Sequence, residues 1–151
     1  MARGCAACAV LVALCSGSAL AAHRRPDLVV DTIAVSQHGA TLVVTHTVRN
    51  RGTAPARRST VGYFLGVTRI GASTAPRLQP GASRRASVRV EIPVSVAAGS
   101  YRLRACADVS NRVAEASELD NCRTGAGVIA VRDRFVYPAR SAPSFPSDPG
   151  L

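Results

Sequence analysis

The chain has 151 residues, with 19 basic side chains against 9 acidic ones and a formal net charge of +10; every basic residue other than histidine is arginine. That balance favours polyanions, anionic surfaces or acidic partners. Aromatic residues make up only 4% of the chain, too few for a base-stacking platform, and no recognised nucleic-acid motif occurs, so specific nucleic-acid binding is not expected.

Residues 1–21 read as a secretory signal peptide. Arg3 supplies the positive start, residues 5–15 are almost wholly apolar, and Ser18, Ala19, Leu20 and Ala21 form an A-x-A-like cleavage site. The apolar run is shorter than a comfortable membrane span, so no transmembrane anchor is expected. Leu14 before Cys15 fits a lipoprotein site badly. The expected location is secreted, either periplasmic or extracellular. Cleavage removes Cys5, Cys8 and Cys15 and leaves Cys106 and Cys122, which an oxidising compartment would pair. Two cysteines are too few for a structural zinc site. The remaining length suits one domain with a modest core.

In chain order, the pattern is of strands throughout. Residues 27–35 form a β-rich run entered through Pro26, with a turn at 37–39. Residues 41–49 alternate, placing Leu42, Val44, His46 and Val48 on one face, and Asn50, Arg51 and Gly52 turn the chain. Residues 59–65 give a third strand and 67–70 a very short fourth, both weakened by Gly62 and Gly66; a loop is expected over 71–81. Residues 85–92 alternate strictly, with Ala86, Val88, Val90 and Ile92 inward. A strand over 101–107 sets Tyr101, Leu103, Ala105 and Ala107 against Arg102, Arg104 and Cys106, and the last strand covers 126–132. Residues 138–151 are a Pro- and Ser-rich tail expected to be disordered. About seven short strands with no long helical stripe predict an all-β sandwich of immunoglobulin-like or fibronectin-III-like type over 26–133. One helical turn at most is expected around 113–119.

The segment 105–122 stands apart. It holds four of the nine carboxylates, Asp108, Glu115, Glu118 and Asp120, together with Asn111 and Asn121, between the two remaining cysteines. Because Cys106 faces away from Leu103 and Ala105, and Cys122 follows only sixteen positions later, the bridge is expected at the base of the loop between the last two strands. Asp108, Asn111, Glu115, Glu118 and Asp120 offer the hard oxygens that calcium takes, though the spacing is not that of an EF-hand. The favoured alternative is structural, with no cofactor. Asp108 and Asn111 would accept turn amides, Glu115 or Glu118 would satisfy loop amides or pair with Arg104, Arg112 or Arg123, and Val113 and Leu119 would anchor the loop. Glu115 and Glu118 match a glycosidase pair in spacing alone, without an aromatic cleft. No G-x-S-x-G or H-E-x-x-H motif occurs, and His46 is most simply a core-edge residue with a hydrogen bond, so no enzyme is expected.

The opening PDLVVDTIAV, then HTVRNRGTAPA, RLQPGASRRASVRV and GSYRLRACADVSNRVAEASELDNC, together resemble the CARDB family, the cell adhesion related domain found in bacteria. The resemblance rests on the order of these pieces and on the spacing of Asp108, Asn111, Val113, Glu115, Glu118 and Asn121. Asp120, where the family often has Asn, and Cys122 depart from the pattern. The resemblance implies an immunoglobulin-like sandwich without catalytic activity. It points to a secreted module for adhesion or protein–protein interaction at the bacterial envelope, meeting an envelope or extracellular protein or an acidic glycan. The alternative is a calcium- or polyanion-binding envelope protein.

Overall fold

Alternating β-branched residues can bury one face of a strand while the other stays wet, as residues 41–50 do most clearly. In a computed structural model that describes residues 24–133, the strands are β1 (Leu28–His38), β2 (Thr41–Asn50), β3 (Ser59–Leu65), β4 (Thr68–Ala75), β5 (Ser83–Glu91), β6 (Gly99–Cys106) and β7 (Cys122–Val131). The signal peptide expected over 1–21 and the tail expected over 138–151 lie outside the described residues.

The strands form two antiparallel sheets, one ordered β1-β2-β5 and the other β4-β3-β6-β7. Leu42, Val44 and Val48 of β2 share one buried core with Val61, Tyr63 and Leu65 of β3, Leu103 and Ala105 of β6 and Ile129 of β7. This is the expected all-β, seven-strand sandwich with immunoglobulin-like topology.

The largest changes from expectation are in β4 and β7. β4 runs to Ala75 where a loop was predicted from residue 71. Gly66, at φ +57°, makes a tight hairpin with Val67 between β3 and β4, so β4 can pair with the whole length of β3. Gly71 lies inside β4, where a Cβ would stand 2.8 Å from Val90 Cγ1 of β5; its bareness lets the two sheets approach at that seam. β7 begins at Cys122, four residues earlier than predicted, because Cys122, Arg123 and Thr124 pair with Cys106, Ala105 and Arg104. The segment 113–119, where one helical turn at most is expected, holds no helix, and its backbone meets the chain just before β1.

One polar chain crosses the core. The Tyr63 hydroxyl lies 3.2 Å from His46 Nδ1 and 2.6 Å from Ser73 Oγ, and the His46 and Tyr63 rings meet edge-on at 5.5 Å. Burial pushes the His46 imidazole below its ordinary value and the Tyr63 phenol above its own, the latter partly offset by Ser73. His46 therefore joins the two sheets as a neutral ring, in keeping with the hydrogen-bonded role expected of it.

The β1 and β7 edges are joined across the sheets by side chains. Gln37 Nε2 donates to the Ala130 carbonyl at 2.7 Å, and the Ala130 N–H donates back to Gln37 Oε1 at 3.0 Å. The amide thus imitates a strand partner and occupies backbone groups that an open edge would expose.

Candidate functional site

The loop 107–121 is built from its two ends inward. Cys106 and Cys122 stand directly opposite each other on β6 and β7, with Cα atoms 4.0 Å apart, and are joined as a disulfide. The bridge closes the base of the loop, as expected, and leaves the core between the sheets to packing. Ala107 N–H then donates to the Asn121 carbonyl at 2.9 Å, extending the closure by one residue.

Asp108 and Asn111 both adopt left-handed backbone, at φ 41° and 49°. Asp and Asn tolerate this region best among residues with a side chain, because their short polar groups can bond locally. Asn111 N–H donates to the Asp108 carbonyl at 2.8 Å, and Val113 N–H donates to Asp108 Oδ2 at 2.7 Å. The turn buries Val113 in the sandwich. Asn111 contributes its backbone and leaves its side chain exposed.

The second half of the loop grips β1. Leu28 N–H donates to Glu115 Oε2, and Ala116 N–H donates to the Pro26 carbonyl at 2.8 Å. Oriented so that its nitrogen faces acceptors, the Asn121 amide donates to the carbonyls of Leu28 (3.3 Å) and Ser117 (3.2 Å). Leu28 is therefore held at both its N–H and its C=O. Glu118 Oε1 accepts from the Glu115 N–H at 3.0 Å and so shapes the turn that presents Glu115. The loop acts as a latch that ties the end of the four-stranded sheet to the first residues of the three-stranded one.

Glu115 is 3% exposed and Asp108 4%. Burial, with Glu118, Asp108 and Asp27 nearby, pushes the Glu115 carboxyl up to about 7, against the lowering effect of the Leu28 N–H. No cation neutralises it: the ion pair found among the described residues is Arg51–Asp31, at 3.1 Å. Of the two expected roles for Glu115 and Glu118, bonding backbone amides or pairing with Arg104, Arg112 or Arg123, the structure shows the first. Arg104 instead lies over the Phe64 ring at 5.1 Å. Leu119, expected to anchor the loop, is 97% exposed; the latch is held by polar groups and Val113, so Leu119 is carried outward on the turn 118–121. Asp120 is also exposed and makes no side-chain hydrogen bond among the described residues.

Asn50 supports the latch from below. Its Oδ1 accepts from the N–H groups of Asp27 and Gly52, both at 3.0 Å, and its Nδ2 donates to the carbonyls of Ala54 (2.8 Å) and Leu78 (3.1 Å). One buried side chain thereby organises the approach to β1, the turn after β2 and the loop before β5.

A family model for CARDB matches residues 25–125. The chain belongs to the CARDB family. Among solved structures it is similar to the CARDB domain of a Pyrococcus furiosus protein, solved in complex with di-metal ions, at 22% identity and a TM-score of 0.55 over 72% of this chain and 90% of that one. It is similar also to a domain, residues 272–376, of a Methanosarcina acetivorans protein described as a cell surface protein, at 23% identity and a TM-score of 0.53 over 72% of this chain and 94% of that one. A further likeness, to β-glucosidase 3B from Thermotoga neapolitana, has 17% identity and a TM-score of 0.51, and covers 72% of this chain but 16% of the enzyme. These likenesses establish a shared fold. No curated protein matches the chain.

Within this CARDB domain, Asp108, Val113, Glu115, Glu118 and Asn121 build the latch. The loop oxygens do not form a ready-made cation site. Asp108 Oδ2 and Glu115 Oε2 are already acceptors for backbone amides. Among the described residues no three His, Cys, Asp or Glu side chains are grouped so that they could hold a metal ion. Three buried carboxylate oxygens nevertheless lack a donor: Asp27 Oδ1, Asp108 Oδ1 and Glu115 Oε1. Asp27 is absent from the expected ligand set, since in sequence it reads only as the residue after Pro26. Among the described residues no helix is long and apolar enough to cross a membrane.

Proposed function

We propose that the chain is a secreted, non-catalytic β-sandwich module that mediates adhesion or protein–protein interaction at the bacterial cell envelope. One observation carries the reading. The residues that look most like chemistry, Asp108 and Glu115 in the latch, are buried and engaged in holding the fold, while sixteen arginines and eight carboxylates occupy the described residues with Arg51–Asp31 as their ion pair. What the molecule offers to its surroundings is an uncompensated basic surface, suited to an acidic protein or glycan. A signal peptide over 1–21 supports delivery to the periplasm or beyond, and the cell surface description of the Methanosarcina acetivorans relative agrees with that location. The test is retention of the labelled chain from residue 22 onward on isolated envelope. Saturable retention at physiological salt, displaced by unlabelled chain, is expected. Retention that never saturates and vanishes at modest salt would mean only diffuse charge attraction.

A second reading, calcium in the latch, is favoured by the three donor-less oxygens and by the di-metal complex of the Pyrococcus furiosus domain. It requires Asp27, Asp108 and Glu115 to turn those oxygens toward one point. Calorimetric titration with calcium chloride decides it: neither heat nor a rise in melting temperature at millimolar calcium overturns it.

A further inference from the structure

Five arginines separated in the chain meet at the end of the sandwich that carries the latch. Arg57 and Arg58 lie in the connection before β3, Arg77 just after β4, Arg84 in β5 and Arg112 in the latch loop; all five are exposed. They line four adjoining hollows. The largest, about 490 Å³, is bounded by Arg58, Arg77 and Arg84. Arg57, Arg58 and Arg77 line the next, Arg58 and Arg112 a third, and Arg57 and Arg112 a fourth. Arg58 is thus common to three of them. No carboxylate lines any of the four, and none of the five arginines forms an ion pair among the described residues.

The backbone that carries these arginines is fixed. Ala56 and Leu78 form an isolated antiparallel bridge, with N–H···O distances of 2.9 and 3.1 Å in the two directions. Both residues are buried, and Asn50 Nδ2 bonds the Leu78 carbonyl as well. Arg57 and Arg58 follow one side of this bridge and Arg77 precedes the other. Arg84 is held opposite Val48 in the β2–β5 ladder, and Arg112 sits between left-handed Asn111 and buried, hydrogen-bonded Val113. Guanidinium forks on a pre-set frame lose little backbone freedom when they engage carboxylate, sulfate or phosphate groups.

We propose that this arginine seam is the partner-binding site of the module, and that its ligand is a polyanionic glycan. The inference rests on the binding-module reading and locates it. The hollows are lined by these arginines together with Thr60 and Thr74, a mixture of cationic and hydroxyl-bearing residues that suits sulfate or carboxylate groups carried on a hydroxyl-rich chain. No aromatic side chain lines them, so they lack both the stacking surface that single-stranded nucleic acid uses and the aromatic anchor common in peptide hot spots.

The test measures binding of the chain from residue 22 onward to a heparin-derived hexasaccharide at physiological salt, beside an uncharged dextran oligosaccharide and a poly-glutamate peptide. The seam variant Arg58→Gln/Arg77→Gln/Arg84→Gln is compared with Arg69→Gln/Arg102→Gln/Arg123→Gln, which removes equal charge elsewhere. All six side chains are exposed, so both variants should melt near the wild type. The seam variant is expected to lose about tenfold or more in affinity for the hexasaccharide, and the control variant about twofold or less. Equal losses would overturn the site. Tighter binding of poly-glutamate than of the hexasaccharide would overturn the glycan in favour of an acidic protein. No binding to the hexasaccharide, with saturable envelope retention intact, would overturn this proposal and leave the module reading standing.

Discussion

Glu115 accepts the Leu28 N–H while its other oxygen has no donor, and it does so within reach of Asp27, Asp108 and Glu118. A carboxyl so placed is better neutral than charged. Its folded value of about 7 lies above the ordinary 4.5, so the folded chain holds more protons than the unfolded one between these values. Its contribution to stability is fully present below pH 4.5 and is lost as pH rises through about 7. His46 acts in the opposite sense. Its imidazole is held below 6.5, so its contribution is present above that value and is lost as pH falls through the lowered one. Glu115→Gln keeps the acceptor for Leu28, cannot ionise, and brings an N–H₂ that can face the donor-less oxygens. The variant should melt above the wild type at pH 8 and close to it at pH 4.5, as followed by circular dichroism across that range. Parallel melting curves at all pH values would contradict the placement of Glu115. None of this was legible from the sequence, where Glu115 is one of four acids in a short stretch; its burial depends on Leu28, distant in the chain, arriving beside it.

Among the elements, the strands were largely readable because alternation is a local property. β2 and β3 fall on or within one residue of their predicted limits, and the inward face of β2 is the one its pattern predicts. Pattern and structure part where a glycine or an edge decides the outcome. Gly71 looked like the start of a loop, yet it is a close contact with Val90 inside β4. β7 was cut short because its first residues are exposed and carry no alternation, their pairing being imposed by β6 and the disulfide. The latch is readable as a covalent loop with turn-forming Asp and Asn, but its grip on β1 is not, because Pro26 and Leu28 are distant in the chain; the apolar character of Leu119 predicts an anchor, yet the loop leaves it exposed. The bridge between Cys106 and Cys122, sixteen positions apart, should contribute about 3 kcal/mol by restricting the unfolded chain. Replacing both cysteines by alanine should lower the free energy of unfolding in urea by about that amount and leave the strand signal in circular dichroism unchanged. Loss of the folded state altogether would mean that the bridge supports the core as well as the loop.

At the scale of the whole molecule, two sheets are closed along one side by side chains that imitate backbone. Gln37 acts on Ala130 at one end of β1, and Glu115 and Asn121 act on Leu28 at the other. Four of the acidic groups lie in this latch, and two of them, Asp108 and Glu115, are buried. The arginines are spread over the exterior, and five of them converge only when the chain folds. A reading of the sequence finds an excess of arginine without a block, and so predicts an acidic partner without a place for it. On the proposed reading the folded chain separates the two roles: the buried acidic groups serve the structure, and the dispersed basic residues are left for the partner. The most direct check on that separation is the envelope-binding isotherm of the Glu115→Gln chain, measured beside the wild type at pH 7.4 with both shown to be folded. The account predicts dissociation constants within about twofold of each other. A loss of about tenfold or more in a folded Glu115→Gln chain would contradict it, and would return the latch from structure to function.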